Sequence, residues 1–282
     1  MARERQSSYN WLVAVDLFLG GTGAGVFLAG FALERLDMMV SLAKVSEVLA
    51  PILVVVGSVF LLLHAGSGFK TKIYLLFLRP RTSWMSRGAW ILAILVVTAF
   101  LYVLTGGNAL FGWVAVVFAL LAAVYPGFLL AENKPIPFWR SPVLPPLFLF
   151  SGLSTGVACL LVLAPFLSGA HDATVAMTLR ALSLSGVFLI VSQLIMLWGY
   201  LGTSSTQGSS FSESVHLAKG PLFFVGVLGI GLILPSVLLI VAVINGKSVG
   251  LGVIAGILLL IGGMLLRLFI LRSGVYLPRH SL

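Results

Sequence analysis

Eight stretches of this chain run for about twenty residues each almost without a charge, and nothing else in the sequence constrains the fold as tightly. A run of that length lets a helix cross about 30 Å of hydrocarbon at about 1.5 Å per residue. Inside hydrocarbon every backbone N–H and C=O must be paired internally. The runs lack the strict alternation of barrel strands, so helices are the remaining solution. Hydrophobic residues make up 60% of the chain and charged residues 9%, which leaves the runs apolar around their whole circumference. Such segments have lipid as their solvent. The expected fold class is an all-α membrane protein with eight transmembrane helices.

Breaks at charges, prolines and glycine clusters place the spans near Trp11 to Leu33, Ala43 to Gly66, Gly88 to Thr105 and Ala109 to Ala131, and, after a Pro-rich joint, near Leu147 to Leu167, Ala173 to Leu201, Pro221 to Ile244 and Val249 to Leu271. The two sets divide the chain into 1–140 and 141–282. They share a pattern: LFLGGTGAGV in helix 1 aligns with FLFSGLSTGV in helix 5, matching Gly21 to Gly152 and Gly25 to Gly156. Arg87-Gly88 and Lys219-Gly220 open helices 3 and 7 at nearly the same offset. With four helices in each half, the repeat is a parallel one, two four-helix bundles side by side. Small residues at these spacings also serve close helix packing and nothing more.

The first apolar run continues past Gly30 without a small-residue cleavage site, so it is expected to remain as helix 1 rather than be removed as a signal peptide. The net charge of +9 comes from basic residues in short loops beside the membrane, which argues for lipid and orientation roles and against nucleic acid. Eight crossings put both termini on one side, called here the terminal face. Twelve basic residues belong to it: Arg3, Arg5, Lys70, Lys72, Arg79, Arg81, Arg87, Lys134, Arg140, Lys219, Arg272 and Arg279. Arg35, Lys44, Arg180 and Lys247 belong to the opposite face, and Arg267 lies inside helix 8. The positive-inside rule then gives cytoplasmic termini, and the expected location is the plasma (inner) membrane of a prokaryote.

Ionisable groups within a membrane are costly, so the few present are the candidates for chemistry. Asp16 lies about one and a half turns into helix 1 from the terminal face, His64 near the end of helix 2, and Tyr125 about two turns from the end of helix 4, just before Pro126. Three proton-exchanging groups are thereby expected at similar depth on three helices of one bundle, where they suit a quinone, whose carbonyl oxygens need donors and whose reduction takes up two protons. Tyr125 and His64 also fit an interfacial belt residue and a headgroup-facing imidazole. Arg267 and Gln193 are each read either as part of a proton relay or as a structural polar group, Arg267 then a snorkelling cation and Gln193 a bridge between helices. Glu34, Asp37, Glu47 and Asp172 are expected near helix ends, most of them in contact with solvent.

Cys159, the single cysteine, is expected to be a small buried hydrophobe, which leaves no cysteine-ligated cluster. Of His64, His171, His216 and His280 only His64 falls near a span, against the paired inward histidines of a b-type haem. No P-loop, metal-ligand cluster or nucleophile motif is present.

Six strings occur in a familiar order: FLGGTGAG, SWMSRGAW, YPGFLLAENKPIPFW, LPPLFLFSGLSTG, GPLFFVGVLGIGLILP and GGMLLR. Together they resemble the NrfD or polysulfide-reductase membrane subunit (PsrC) family across almost the entire chain. The resemblance implies a quinone-interacting subunit of two four-helix bundles, using menaquinone or ubiquinone, with no haem and no iron–sulfur cluster of its own. It implies a ferredoxin-like iron–sulfur partner, joined in turn to a molybdopterin catalytic subunit or a cytochrome. It places Asp16 at the family's polar quinone-site position, Tyr125 at its helix 4 tyrosine and His64 in a segment that reads HAG where relatives read DLG-like. Gln193 stands where many members carry glutamate. The alternatives from other classes are a small-solute or ion transporter, suggested by the repeat and the glycine-rich helices, and a plain assembly anchor.

Overall fold

The computed structural model describes residues 9–64, 83–133, 135–167, 173–202, 220–245 and 249–276. Eight long helices account for nearly all of them, and no strand occurs among the described residues. We number them α1 (Trp11–Arg35), α2 (Val40–His64), α3 (Trp84–Leu104), α4 (Ala109–Ala131), α5 (Leu144–Leu167), α6 (Ala173–Gly202), α7 (Leu222–Asn245) and α8 (Val249–Arg272). Each is long and apolar enough to cross a membrane. Among the charges expected on the two faces, Arg3, Arg5, Lys70, Lys72, Arg79, Arg81, Lys134, Asp172, Lys219, Lys247 and Arg279 lie outside the described residues, as do His171, His216 and His280.

Local chemistry explains the helix ends. The Asn10 side chain caps α1 by accepting from Leu12 N–H at 3.0 Å, and Asn108 caps α4 through Leu110 N–H at 3.0 Å. The α3–α4 turn needs left-handed backbone at Gly106 and Gly107, φ 68° and 94°, which glycine adopts without strain. Short turns of this kind make consecutive helices antiparallel neighbours. α3 starts four residues before the apolar run at Gly88, and α5 starts at Leu144 with Pro145 and Pro146 in its first turn. Proline is tolerated there because a first-turn N–H has no intrahelical partner to lose. α7 opens with a π-wound stretch, Leu222–Ile233, and tightens to α-helix at Leu234, one residue before Pro235.

α1 is central, touching α2, α4, α5 and α8. α3 also packs on α2 and α4, while α6 and α8 each pack on α5 and α7. α1 and α5 are the most buried spans. They cross glycine on glycine: a methyl group on Gly25 would strike the Gly152 carbonyl, and one on Gly156 would strike the Gly25 backbone. Close backbone contact of this kind drives association where lipid supplies no hydrophobic force between helices. The Thr22 hydroxyl donates to that of Thr155 at 2.9 Å in the same seam. On the outside, Phe100, Trp113, Phe188, Ile195 and Trp198 are exposed, a surface that water disfavours and hydrocarbon accepts.

Candidate functional site

Asp16 lies six residues beyond the Asn10 cap, about 9 Å into the helix at about 1.5 Å per residue, and is buried. Its Oδ2 has no hydrogen-bond partner, and no cation neighbours the carboxylate among the described residues. At about 100° per residue Gly20 faces the same way as Asp16. A Cβ built on Gly20 would meet no atom within 4 Å, although Gly20 is itself buried. Free space therefore adjoins the face of α1 that carries the unpaired carboxylate oxygen.

Tyr125 enters the same region from α4. It is buried and close enough to Asp16 for the two to interact electrostatically. Its ring is seated on the α3 backbone at Gly88, where a Cβ would come within 2.5 Å of Cε2 and 2.8 Å of Cδ2. Only glycine at residue 88 accepts the ring in that place. Pro126 adds a second consequence, because it lacks the N–H that would bond the Ala122 carbonyl one turn below.

His64 occupies a different level. The imidazole is half-buried beside Tyr9 and Asn10 at the start of α1, and not at the depth of Asp16. Its Nδ1 is 3.1 Å from Asn10 Oδ1, and its ring stacks on Tyr9 at 6.3 Å. Because Asn10 Oδ1 also accepts Leu12 N–H, that atom is the amide oxygen. The imidazole must then donate from Nδ1, leaving Nε2 as an acceptor in the neutral ring. Tyr9, outside the spans, has its phenol held above the ordinary value chiefly by burial, with Asn133 as hydrogen-bond donor to it at 3.4 Å.

Arg267 is fully buried rather than snorkelling. Its Nη1 donates to the Ser151 hydroxyl and, at 2.9 Å, to the Gly263 carbonyl, whereas Nε and Nη2 have no partner. The guanidinium carbon is 5.8 Å from the ring centroids of Phe18 and of Phe148, close enough for cation–π attraction. A Cβ on Gly21 would come within 3.1 Å of Nη2. Gly21 and Phe18 are turned by about 140° and 200° around α1 from Asp16, so the helix backbone stands between the two buried charges. Gln193 is buried and joins α6 to α5 by accepting from the Ser154 hydroxyl at 3.4 Å.

Other groups were less legible. Glu47, expected near solvent, is buried, and Lys44 Nζ spans from it (3.3 Å) to Glu34 (2.9 Å). The Tyr102 hydroxyl donates to Glu34, so this network ties α1, α2 and α3 together at the end away from the terminal face. The i,i+3 spacing of Lys44 and Glu47 was the available signal. Gly20 and Ser151 gave none, since nothing in composition marks an open side or a guanidinium partner. Among the described residues no group of three His, Cys, Asp or Glu side chains could hold a metal ion.

Eight apolar spans enclosing a buried carboxylate and a buried phenol define a multi-pass membrane protein. The family model described as "Polysulphide reductase, NrfD" matches residues 1–278, and the chain belongs to that family. It is similar to Protein NrfD of Escherichia coli (strain K12), 27% identical over 316 residues that cover 94% of each protein. It is also similar to the C subunit of polysulfide reductase from Wolinella succinogenes, 32% identical over 168 residues. That match takes in 57% of this chain and 52% of the relative. A Protein NrfD homolog of Haemophilus influenzae is 31% identical over 175 residues, with the same shares.

Proposed function

We propose that this chain is the quinone-reactive membrane subunit of a respiratory oxidoreductase complex, with the quinone ring held between α1 and α4 near the terminal face. The observation that carries the reading is the unpaired Oδ2 of buried Asp16, facing free space at Gly20 and accompanied by Tyr125. A buried carboxylate without a partner is expensive, and a site that exchanges protons is the usual reason to keep one. Menaquinone or ubiquinone, when bound, supplies the two-electron, two-proton redox chemistry. Asp16 holds or accepts a proton at Oδ2, Tyr125 offers its hydroxyl as a donor, and Gly88 fixes where that hydroxyl can reach. His64 Nε2, at the rim, is placed to pass protons between this pocket and the aqueous edge. Arg267 and Gln193 hold helices together away from the pocket.

The chain carries no electron carrier of its own in this reading. A ferredoxin-like iron–sulfur subunit docks on the terminal face, the side nearer Asp16 and Tyr125, and connects to a molybdopterin catalytic subunit or a cytochrome. The membership in a polysulphide-reductase family supports such a complex. The basic segments from Lys70 to Arg87 and from Lys134 to Arg140 meet an acidic partner surface, a contact that weakens with salt. The halves 1–140 and 141–282 form two four-helix bundles related as a parallel repeat. The charge census supports cytoplasmic termini, and similarity to bacterial relatives supports a prokaryotic plasma membrane.

The deciding experiment is quinol-linked turnover of the purified complex carrying Asp16→Asn or Tyr125→Phe. Each is expected to fall about tenfold or more with assembly intact, from the loss of a proton-transfer group. Unchanged turnover in both variants removes the site. Orientation is tested separately by a reporter after Leu282, where activity from a periplasm-requiring reporter overturns the cytoplasmic assignment.

A further inference from the structure

A groove of about 550 Å³ opens on the outside of the molecule where the end of α4 meets the start of α5. Its walls are mostly carbon, from Val124 and Phe128 of α4 and Pro145 and Leu149 of α5, and Arg140 and buried Ser141 also line it. The two helices are pressed together behind it, since a Cβ on Gly127 would run into the Pro145 backbone. Phe128 is held by stacking on Trp84 at 4.6 Å and 9°, and the Arg87 guanidinium lies 4.6 Å over the same indole. Arg140 follows a short 3-10 turn, Pro137–Trp139, that is itself anchored. Trp139 Nε1 donates to the Ile270 carbonyl at 2.9 Å, and the Tyr200 hydroxyl donates to the Phe138 carbonyl at 2.6 Å. The backbone that presents Arg140 is thus fixed, while its side chain is exposed.

We propose that this groove is a binding site for one anionic phospholipid, its phosphate paired with Arg140 and an acyl chain lying along the Val124, Phe128 and Leu149 wall. Charge and position select the occupant. The apolar wall covers the last two turns of α4 and the first two of α5, which is the depth of the upper acyl carbons below a headgroup, and an exposed cation lines it. Glu132, which follows α4, is turned to α3, where it accepts Trp84 N–H at 3.2 Å. A guanidinium matches a phosphate better than a neutral headgroup or an isoprenoid tail. Arg140 lies at one end of the basic segment assigned above to partner docking, so the assay uses the full-length chain without its partner.

The test is photo-labelling in detergent by phosphatidylglycerol with a photoreactive acyl chain, against diacylglycerol with the same chain, followed by mapping of the labelled residues. Phosphatidylglycerol is expected to label Val124, Phe128 or Leu149. Arg140→Gln, at an exposed residue, should weaken that labelling about fivefold, near the worth of one basic group at a lipid surface. Leu149→Trp, which fills the groove, should abolish it while labelling elsewhere on the chain persists. Equal labelling by diacylglycerol, or indifference to Arg140→Gln, overturns the proposal in favour of ordinary surrounding lipid. Displacement of the phospholipid by a photoreactive quinone that labels the same three residues also overturns it, the groove then being a quinone path.

Discussion

The two sides of α1 each bury a charge with polar atoms left unpaired, Asp16 Oδ2 on one and Arg267 Nε and Nη2 on the other, and they differ in the room beside it. On one side Asp16 keeps an oxygen unpaired beside open space at Gly20. On the other, Arg267 is wedged among Ser151, Gly263, Phe18 and Phe148 in a seam where Gly25 and Gly156 already bring backbones together. Burial alone therefore would not distinguish a working group from a structural one, and room is the proposed difference: a proton-exchanging group needs space for what it exchanges with, whereas a guanidinium that spends hydrogen bonds on two helices serves their packing.

The comparison is broken most severely in the seam. Gly25→Ala drives a methyl into the Gly152 carbonyl, backbone that cannot swing aside as a side chain can. Overpacking typically costs about 1–3 kcal/mol, and this contact should lie at or above the top of that range. The expected outcome is little folded chain recovered in detergent and a strongly lowered thermal midpoint for what remains. An unchanged midpoint would mean that α1 and α5 do not meet at Gly25.

Next in size is a pair of variants whose effects should cross. Asp16→Asn should leave the midpoint unchanged or raised, because an unpaired carboxylate no longer has to be desolvated, while turnover falls about tenfold or more. Arg267→Gln should do the reverse, lowering stability by about 1–3 kcal/mol through its lost hydrogen bonds and leaving turnover per assembled complex near the parent value. Calorimetry and quinol-linked turnover on the same preparations separate the two. Loss of turnover with full stability in Arg267→Gln would move that residue into the chemistry.

How far the sequence foretold this contrast depends on the residue. The spans were legible because hydropathy over about twenty residues is a sum that single errors do not upset. Asp16 was legible for a similar reason, as a charge in an otherwise apolar run. Arg267 was ambiguous because one turn from a helix end is where snorkelling arginines sit, and only Gly21, Ser151 and Phe148, distant in sequence, close that route. The level of His64 depended on which part of α1 it packs against. Nothing in the apolar run marked its contacts with Tyr9 and Asn10. The spacing of Asp16 from Gly21 around α1 was computable from the start, but not which neighbours occupied the two directions.

His64→Leu should be milder than Asp16→Asn in turnover. The imidazole is at the rim, half-buried, where water offers other proton routes to its Nε2 position. A tenfold loss from His64→Leu with assembly unchanged would place the residue on the only route and not beside others.

The smallest expected effect is the most exacting test of the open side. Gly20→Ala adds a methyl that meets nothing within 4 Å, so it should cost no packing energy. Replacing a helical glycine is worth up to about 1 kcal/mol in propensity, so the midpoint should stay level or rise slightly. This is the opposite sign from Gly25→Ala on the same helix, five residues away. Because Gly20 faces the way Asp16 does, the methyl occupies part of the proposed ring site, and the KM for quinol should rise modestly with kcat retained. Gly20→Leu should raise KM further without unfolding the chain. Destabilisation by Gly20→Ala comparable to that of Gly25→Ala would show that the space beside Asp16 does not exist. A stable Gly20→Leu variant with unchanged KM would show that the space exists but that quinol does not enter it, leaving Asp16 in need of another partner.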